Sequence, residues 1–287
     1  MASHNDLRNF DYFKNAVIPP PESPSELIKY TRIAIDSKNR NKSLHPNANK
    51  YEIKLSNEVS DVMSAKLINA DIPMSMYLIN KYFDTLVVSQ NDVTHNVQLE
   101  HGDYKELELA SMITRLLNTA FGDTQFVVSY NQYKDNYTFT SKDAFALTFG
   151  SSQNSLDALL GFNKDVYTST PSGDSPYNHV ITGDYRRNFD YNNCVIMYID
   201  QFDCYQSPAN EMDRCFAILP SVYSLLSMSD HPELIKTFSP PIPRLTKLVV
   251  QFYDRFGNLY DFNNLEHRFE LLITSHKQGR RYNSIFT

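Results

Sequence analysis

His45-Pro46-Asn47-Ala48-Asn49-Lys50-Tyr51-Glu52-Ile53-Lys54-Leu55 carries the pattern of a half-buried β-strand. Tyr51, Ile53 and Leu55 alternate with Glu52 and Lys54, the period of two that turns one face of a strand to a core and the other to water. From Ala65 the apolar residues change parity, with Ala65 and Leu67 followed by Ile68, Ala70 and Ile72, and a β-bulge explains that shift. Pro73 removes a ladder donor and ends the strand.

The end of the chain repeats the theme. Leu245 to Tyr253 pairs with Leu259 to Phe262 about Arg255-Phe256-Gly257-Asn258 in the expected hairpin, and Phe269 to Ile273 alternates again. Cys194 to Ile199 is apolar on both parities and suits a central strand; Phe216 to Leu219 is a further short one. Pro240-Pro241-Ile242-Pro243 fixes three φ angles ahead of a strong strand, either stiffening the start of the sheet or forming an ordinary rigid loop. Many short strands with proline-rich turns indicate a mainly β sandwich.

Residues 84–150 read as an α+β insertion. Leu86-Val87-Val88 and Val93 to Leu99 form a hairpin about Asn91-Asp92. A helix follows, with Asp103 as N-cap, Glu106 completing a capping box, an apolar stripe of Leu107, Ala110, Ile113, Leu117 and Ala120, and Gly122 at its end. Phe126 to Tyr130, Tyr137 to Phe139 and Phe145 to Phe149 supply alternating strands for it to cover. A helix lying across the main sandwich is the alternative. Leu156 to Phe162 reads as a short helix ended by Gly161, and residues 163–190, rich in Ser, Thr, Pro, Asn and Asp, as a long loop. Residues 1–30 form an extended N-terminal arm carrying Pro19-Pro20-Pro21 and Pro24. It is either a disordered tail or a segment that orders on a neighbouring subunit. Phe10, Tyr12, Phe13, Val17 and Ile18 favour the second, because a purely solvating tail carries fewer large apolar side chains. The resulting division is 1–30 arm, 31–83 with 151–275 sandwich, 84–150 insertion and 276–287 C-terminal tail.

Composition narrows the function classes. A chain of 287 residues with 41% hydrophobic content can bury a sizeable core, and 19 Tyr with 18 Phe suit half-buried strand faces and interfaces. Net charge of −6 argues against a direct nucleic-acid partner, which needs clustered Lys and Arg; only Lys277, Arg280 and Arg281 are locally basic. Cys194, Cys204 and Cys215 are odd in number and not closely paired, so no disulfide framework or zinc knuckle is expected. Met1 to Asp6 does not lead into an apolar stretch and no apolar run approaches the ~20 residues of a transmembrane segment, so a soluble protein made in a reducing compartment is expected. The sequons at Asn41 and Asn136 are then unused.

Catalytic signatures are missing from the sequence: no glycine-rich phosphate cradle, His-Glu-x-x-His, Gly-x-Ser-x-Gly or Cys-x-x-Cys. His45, His231 and His267 read as surface or capping residues, Asp200 and Asp203 as turn residues and not an acid–base pair, and Asp254 and Asp261 as closing a hairpin and not binding calcium. No catalytic residue, metal site or cofactor is expected.

The paired segments, Ile35-Asp36-Ser37-Lys38-Asn39-Arg40 with His45 to Leu55 and Val62 to Pro73, and Pro240 to Leu245 with Phe252 to Phe262, resemble the jelly-roll penton and minor capsid proteins of large icosahedral nucleocytoplasmic double-stranded DNA viruses. The resemblance covers residues 31–80 and 158–275. It implies a single jelly roll of two antiparallel sheets. It further implies a homopentameric vertex capsomer, contacts with the major capsid protein and other minor capsid proteins, and a virion location after synthesis in the host cytoplasm. The alternatives are a non-vertex minor capsid or cement protein bridging capsomers, and a carbohydrate-binding jelly-roll attachment module.

Overall fold

The computed structural model describes residues 27–150, 155–173, 176–189, 193–208, 212–220 and 234–277. Its strands in chain order begin with β1 (Ile28–Asp36), β2 (Lys50–Asp71), β3 (Thr85–Gln90) and β4 (Val93–Gln98), followed by helix α1 (Glu106–Phe121). Next come β5 (Phe126–Asn131), β6 (Asn136–Ser141), β7 (Phe145–Thr148) and the short helix α2 (Asp157–Leu160). The chain continues through β8 (Val166–Thr168), β9 (Thr170–Pro171), β10 (His179–Thr182), β11 (Cys194–Ile199), β12 (Ala217–Pro220), β13 (Ile235–Tyr253) and β14 (Arg268–His276). The protein is mainly β and its strand pairings are antiparallel.

The largest sheet has the order β1-β14-β2-β13-β11-β12. Six strands do the work of eight, because β2 and β13 are 22 and 19 residues long and each bends through two layers. The second half of β2 pairs with β14 and with residues 235–237 of β13, while residues 50–54 of β2 pair with residues 247–251 of β13, whose other side holds β11. One layer is therefore β1, β14, late β2 and early β13; the other is early β2, late β13, β11 and β12. This is the jelly-roll arrangement of a long two-stranded ribbon rolled on itself. Tyr51, Leu67, Val195, Phe216, Leu248, Phe252, Phe269 and Leu271, drawn from both layers, share one buried cluster.

The bends are visible in the register. Residues 55–58 of β2 stand opposite Thr246 alone, and residues 238–241 of β13 stand opposite Met63 alone. Pro240 and Pro241 thus lie inside a strand, not ahead of one. They fall where the ladder is already interrupted, so their missing N–H groups cost no pairing. The parity shift after Leu67 is a bulge as expected: β14 pairs Leu271 with Leu67 and Glu270 with Asn69, which leaves Ile68 over.

A second buried cluster gathers Leu86, Val88, Leu109, Ile113, Leu117, Phe126, Phe139, Phe145 and Leu147 around α1. Two four-stranded sheets bound it, β4-β3-β7-β8 and β5-β6-β10-β9. The hairpin turn at Asn91 and Asp92 has positive φ at both residues, 50° and 63°, as a tight primed turn requires.

Several expectations need correction. The described residues of 163–190 include three strands, of which β8 pairs with β7, β10 with β6, and β9 with β10. Strands of two to four residues are too short to leave a periodic signal among Ser, Thr and Pro. Leu156, Leu159, Leu160, Phe162 and Ile181 also pack into the second cluster, so the 84–150 boundary, and the assignment of 151–190 to the sandwich, cut through a common core. The N-cap position of α1 is Lys105, whose backbone N–H donates to Glu108 Oε2 (3.0 Å), while Asp103 accepts the Leu78 N–H (2.9 Å). Leu259 to Phe262 is no strand; one bridge, Tyr253 to Leu259, replaces the expected hairpin ladder. Residues 28–30 belong to β1 and not to the arm, and His276 closes β14.

Candidate assembly surface

The β1–β2 connection and the segment leading into β14 are tied together at one partly buried joint. Arg40 donates from Nε to His45 O (2.9 Å), from Nη1 to Ser37 O (2.9 Å) and from Nη2 to Pro46 O (2.8 Å), and its guanidinium pairs with Glu266. Ser37 Oγ donates to Glu266 Oε2 (2.6 Å) and accepts the His267 N–H (2.9 Å), while Lys42 Nζ reaches Glu266 Oε1 (2.9 Å). Burial pushes the Glu266 carboxyl up, but the hydrogen bonds from Ser37, Lys42 and Arg40 outweigh it and hold the group at about 2.

His267 is buried, contrary to the surface role expected for it. Its Nε2 lies 3.0 Å from Ala48 O, which can only accept, so Nε2 carries the proton of the neutral ring. Tyr51, Phe252 and Phe262 surround it with ring centroids 5.6, 4.4 and 4.9 Å away. Burial is the main reason its pKa falls to about 4. Nothing in a lone histidine after Glu266 signals this; the register of β14 against β1 does.

One side of the sandwich is open. The Ser37 N–H donates to His267 O (2.9 Å) and the Lys277 N–H to Leu27 O (2.7 Å), so the odd-numbered residues of β1 bond to β14. Antiparallel alternation then aims the N–H and C=O groups of Ile28, Tyr30, Arg32 and Ala34 away from the sheet. Facing this edge is the free edge of early β2. Two confluent grooves of about 630 and 580 Å³ run between them, lined by β1 and by residues 52–59 of β2. Ile33, Ile53 and Leu55 are partly buried against the core here, and Tyr30 (66% exposed) and Leu44 (72%) stand at the rim. Thr31 Oγ1 is buried beside the groove with no partner among the described residues. At the opposite end, β12 has four residues and finishes in Pro220, a blunted edge.

The other residues singled out from sequence are dispersed. Asp200 and Asp203 line a cleft of about 430 Å³ with Tyr198, Asp213, Arg214, Gln251 and Tyr253. Both are exposed and no hydrogen bond joins them; the Asp200 N–H goes to Val249 O (3.1 Å). Asp254 is buried and accepts the Phe256 N–H (2.8 Å), the Asn258 N–H (2.8 Å) and Asn258 Nδ2 (3.0 Å), closing its turn as expected. Burial raises its pKa against those three bonds. Asp261 caps the Asn263 N–H (2.9 Å). His45 offers its carbonyl to Arg40, and His231 lies outside the described residues.

Cys194 and Cys215 are buried and Cys204 half-buried, all three as thiols; burial pushes Cys204 up to about 11 and Cys215 to about 12. Asn136 is buried and donates to Gly183 O (2.6 Å), which leaves its sequon inaccessible. Among the described residues no three His, Cys, Asp or Glu side chains converge to hold a metal, and no helix is long and apolar enough to cross a membrane. The arm residues Phe10, Tyr12, Phe13, Val17 and Ile18 and the basic pair Arg280 and Arg281 lie outside the described residues.

The sequence pattern of DUF5901, a family of unknown function, matches residues 28–212, from the start of β1 to just before β12. The chain belongs to this family. The DUF5901 match takes in the open edge, both halves of β2 and the whole second cluster. No match was found among curated proteins. Among solved structures, this DUF5901 chain is similar to the mavirus penton protein at 10% identity and a TM-score of 0.42, over 87% of this chain and 99% of that one. It is also similar to a chain in the cryo-EM structure of the Sputnik virophage at 10% identity and a TM-score of 0.37, over 87% of this chain and 98% of that one.

Proposed function

We propose that this protein is a capsid building block, the pentameric vertex capsomer of a large double-stranded DNA virus, acting by geometry and not by chemistry. The observation that carries the reading is the rolled ribbon itself: β1, β14, β2 and β13 form a stiff sandwich, and the second cluster is inserted in one connection between β2 and β11. In this reading the sides of the sandwich meet between copies and the second cluster projects from them. The Arg40–Glu266 joint and the buried His267 fix the β1–β2 connection against the segment leading into β14, as a subunit repeated around a closed ring needs.

A sugar-binding module would need a flat aromatic platform. In the cleft near Asp200, the rings of Tyr198 and Tyr253 meet edge to face at 82° with centroids 5.3 Å apart, so each blocks part of the other. Native mass spectrometry of the full chain tests the proposal: closed rings of five copies are expected. A stable monomer at all concentrations would move the reading to a minor capsid protein bridging other capsomers.

A further inference from the structure

The open side of the jelly roll has a shape and a length that the chain's own N-terminal segment matches. β1 is nine residues long, without a bulge, proline or glycine, and its outward backbone groups at Ile28, Tyr30, Arg32 and Ala34 have no ladder partner among the described residues. Protein edges of this kind are normally shortened, bulged or covered, because an unpaired edge is a template for another strand. β1 is about 30 Å long at ~3.3 Å per residue, and its groove has an apolar floor of Ile33, Ile53 and Leu55.

Twenty-six residues precede Leu27, and the chain enters the sheet at the end of this same groove. Phe10 to Ile18 is a run of nine, equal to β1, carrying Phe10, Tyr12, Phe13, Val17 and Ile18. Between Ile18 and Ile28 stand Pro19-Pro20-Pro21 and Pro24. Returning Phe10 to Ile18 to its own β1 requires the chain to reverse within that spacer. Consecutive prolines favour an extended polyproline course, roughly 9 Å for three residues at ~3.1 Å per residue, which disfavours a reversal directly after Ile18 and favours a second copy as the acceptor.

We infer that residues 10–18 of one copy add as a strand to the open β1 edge of a second copy, with Phe10, Tyr12 and Ile18, which alternation puts on one face, over Ile33, Ile53 and Leu55. Pairing would come from main-chain bonds to Ile28, Tyr30, Arg32 and Ala34, and Thr31 Oγ1 would lie within the covered groove. This rests on the assembly reading above and names which surface the arm takes.

The test is hydrogen exchange at β1 combined with native mass spectrometry of the same samples. In the assembled full chain the amides of Tyr30, Arg32 and Ala34 should exchange roughly tenfold or more slowly than in a chain lacking residues 1–26. Adding unlabelled full chain to the isotope-labelled shortened chain should restore that protection, since the arm comes from another copy. Ala34→Pro in the full chain deletes an outward N–H that β14 does not use, so it should keep the melting temperature and lose the protection. Equal exchange in full and shortened chains, with rings still present, would overturn the inference and leave the assembly reading standing. Protection that persists on dilution to monomer and does not transfer would also overturn it, by placing the arm on its own β1. Absence of any assembly would refute both. If the shortened chain fails to fold, Ala34→Pro against the unaltered full chain decides alone: unchanged protection refutes the inference.

Discussion

His267 should make this protein acid-sensitive well above the range where carboxylates titrate. Its ring is neutral in the fold, enclosed by Tyr51, Phe252 and Phe262, and its pKa is lowered from 6.5 to about 4. The unfolded chain binds the proton more readily, so the stabilisation is complete above pH 6.5 and is lost as pH falls toward 4. A gap of that size is worth about 2.5 kcal/mol between pH 7.5 and 4.5, at ~1.4 kcal/mol per pH unit. Glu266 acts lower down: with its folded pKa near 2 against 4.5, its contribution is present above pH 4.5 and fades below it. The upper window therefore isolates the histidine. His267→Gln keeps a donor for Ala48 O and removes the titration. Chemical denaturation of both proteins from pH 7.5 to 4.5 should show the parent losing about 2.5 kcal/mol more than the variant. Parallel profiles would refute the neutral, buried histidine and the packing argued around it.

Three further outcomes follow from the packing. Replacing residues 84–150 by a short linker strands Leu156, Leu159, Leu160, Phe162 and Ile181 and should yield an aggregating protein, whereas replacing 78–189 should leave a soluble, cooperatively melting jelly roll; light scattering and calorimetry separate the two. Arg187→Met removes the partner of Glu106 and one of two guanidinium partners of Asp135 (2.8 Å) and should cost about 1–3 kcal/mol, read by denaturant melts, because Arg186 and Tyr130 still hold the Asp135 carboxylate. Asp254→Ala leaves the Phe256 and Asn258 amides without their acceptor and should cost about 1–3 kcal/mol in the same assay.

The alternating stretches announced themselves: Tyr51 to Leu55, the bulge after Leu67 and the central strand at Cys194 are where a half-wet or doubly buried face imposes a pattern on side chains. What stayed hidden depends on contacts between distant positions. The proline run at 240–243 reads as a break to any local rule, and only the register against β2 shows that the ladder had already opened there. Strands β8 to β10 are held by neighbours, not by their own periodicity. Asp103, the capping residue that the sequence offers, is engaged instead by the N–H of Leu78, a residue 25 positions away. The burial of His267 and the role of Arg40 likewise arise from pairing residues over two hundred positions apart. The free edge of β1 was invisible because an unpaired backbone has no sequence signature of its own.

The most direct test of the capsid reading is an electron cryo-microscopy map, at a resolution that traces side chains, of particles purified from the source of this chain. Five copies of this jelly roll are expected around each five-fold axis, with the second cluster projecting from the ring. Density for another protein at those vertices, with this chain elsewhere in the shell or absent from it, would contradict that reading.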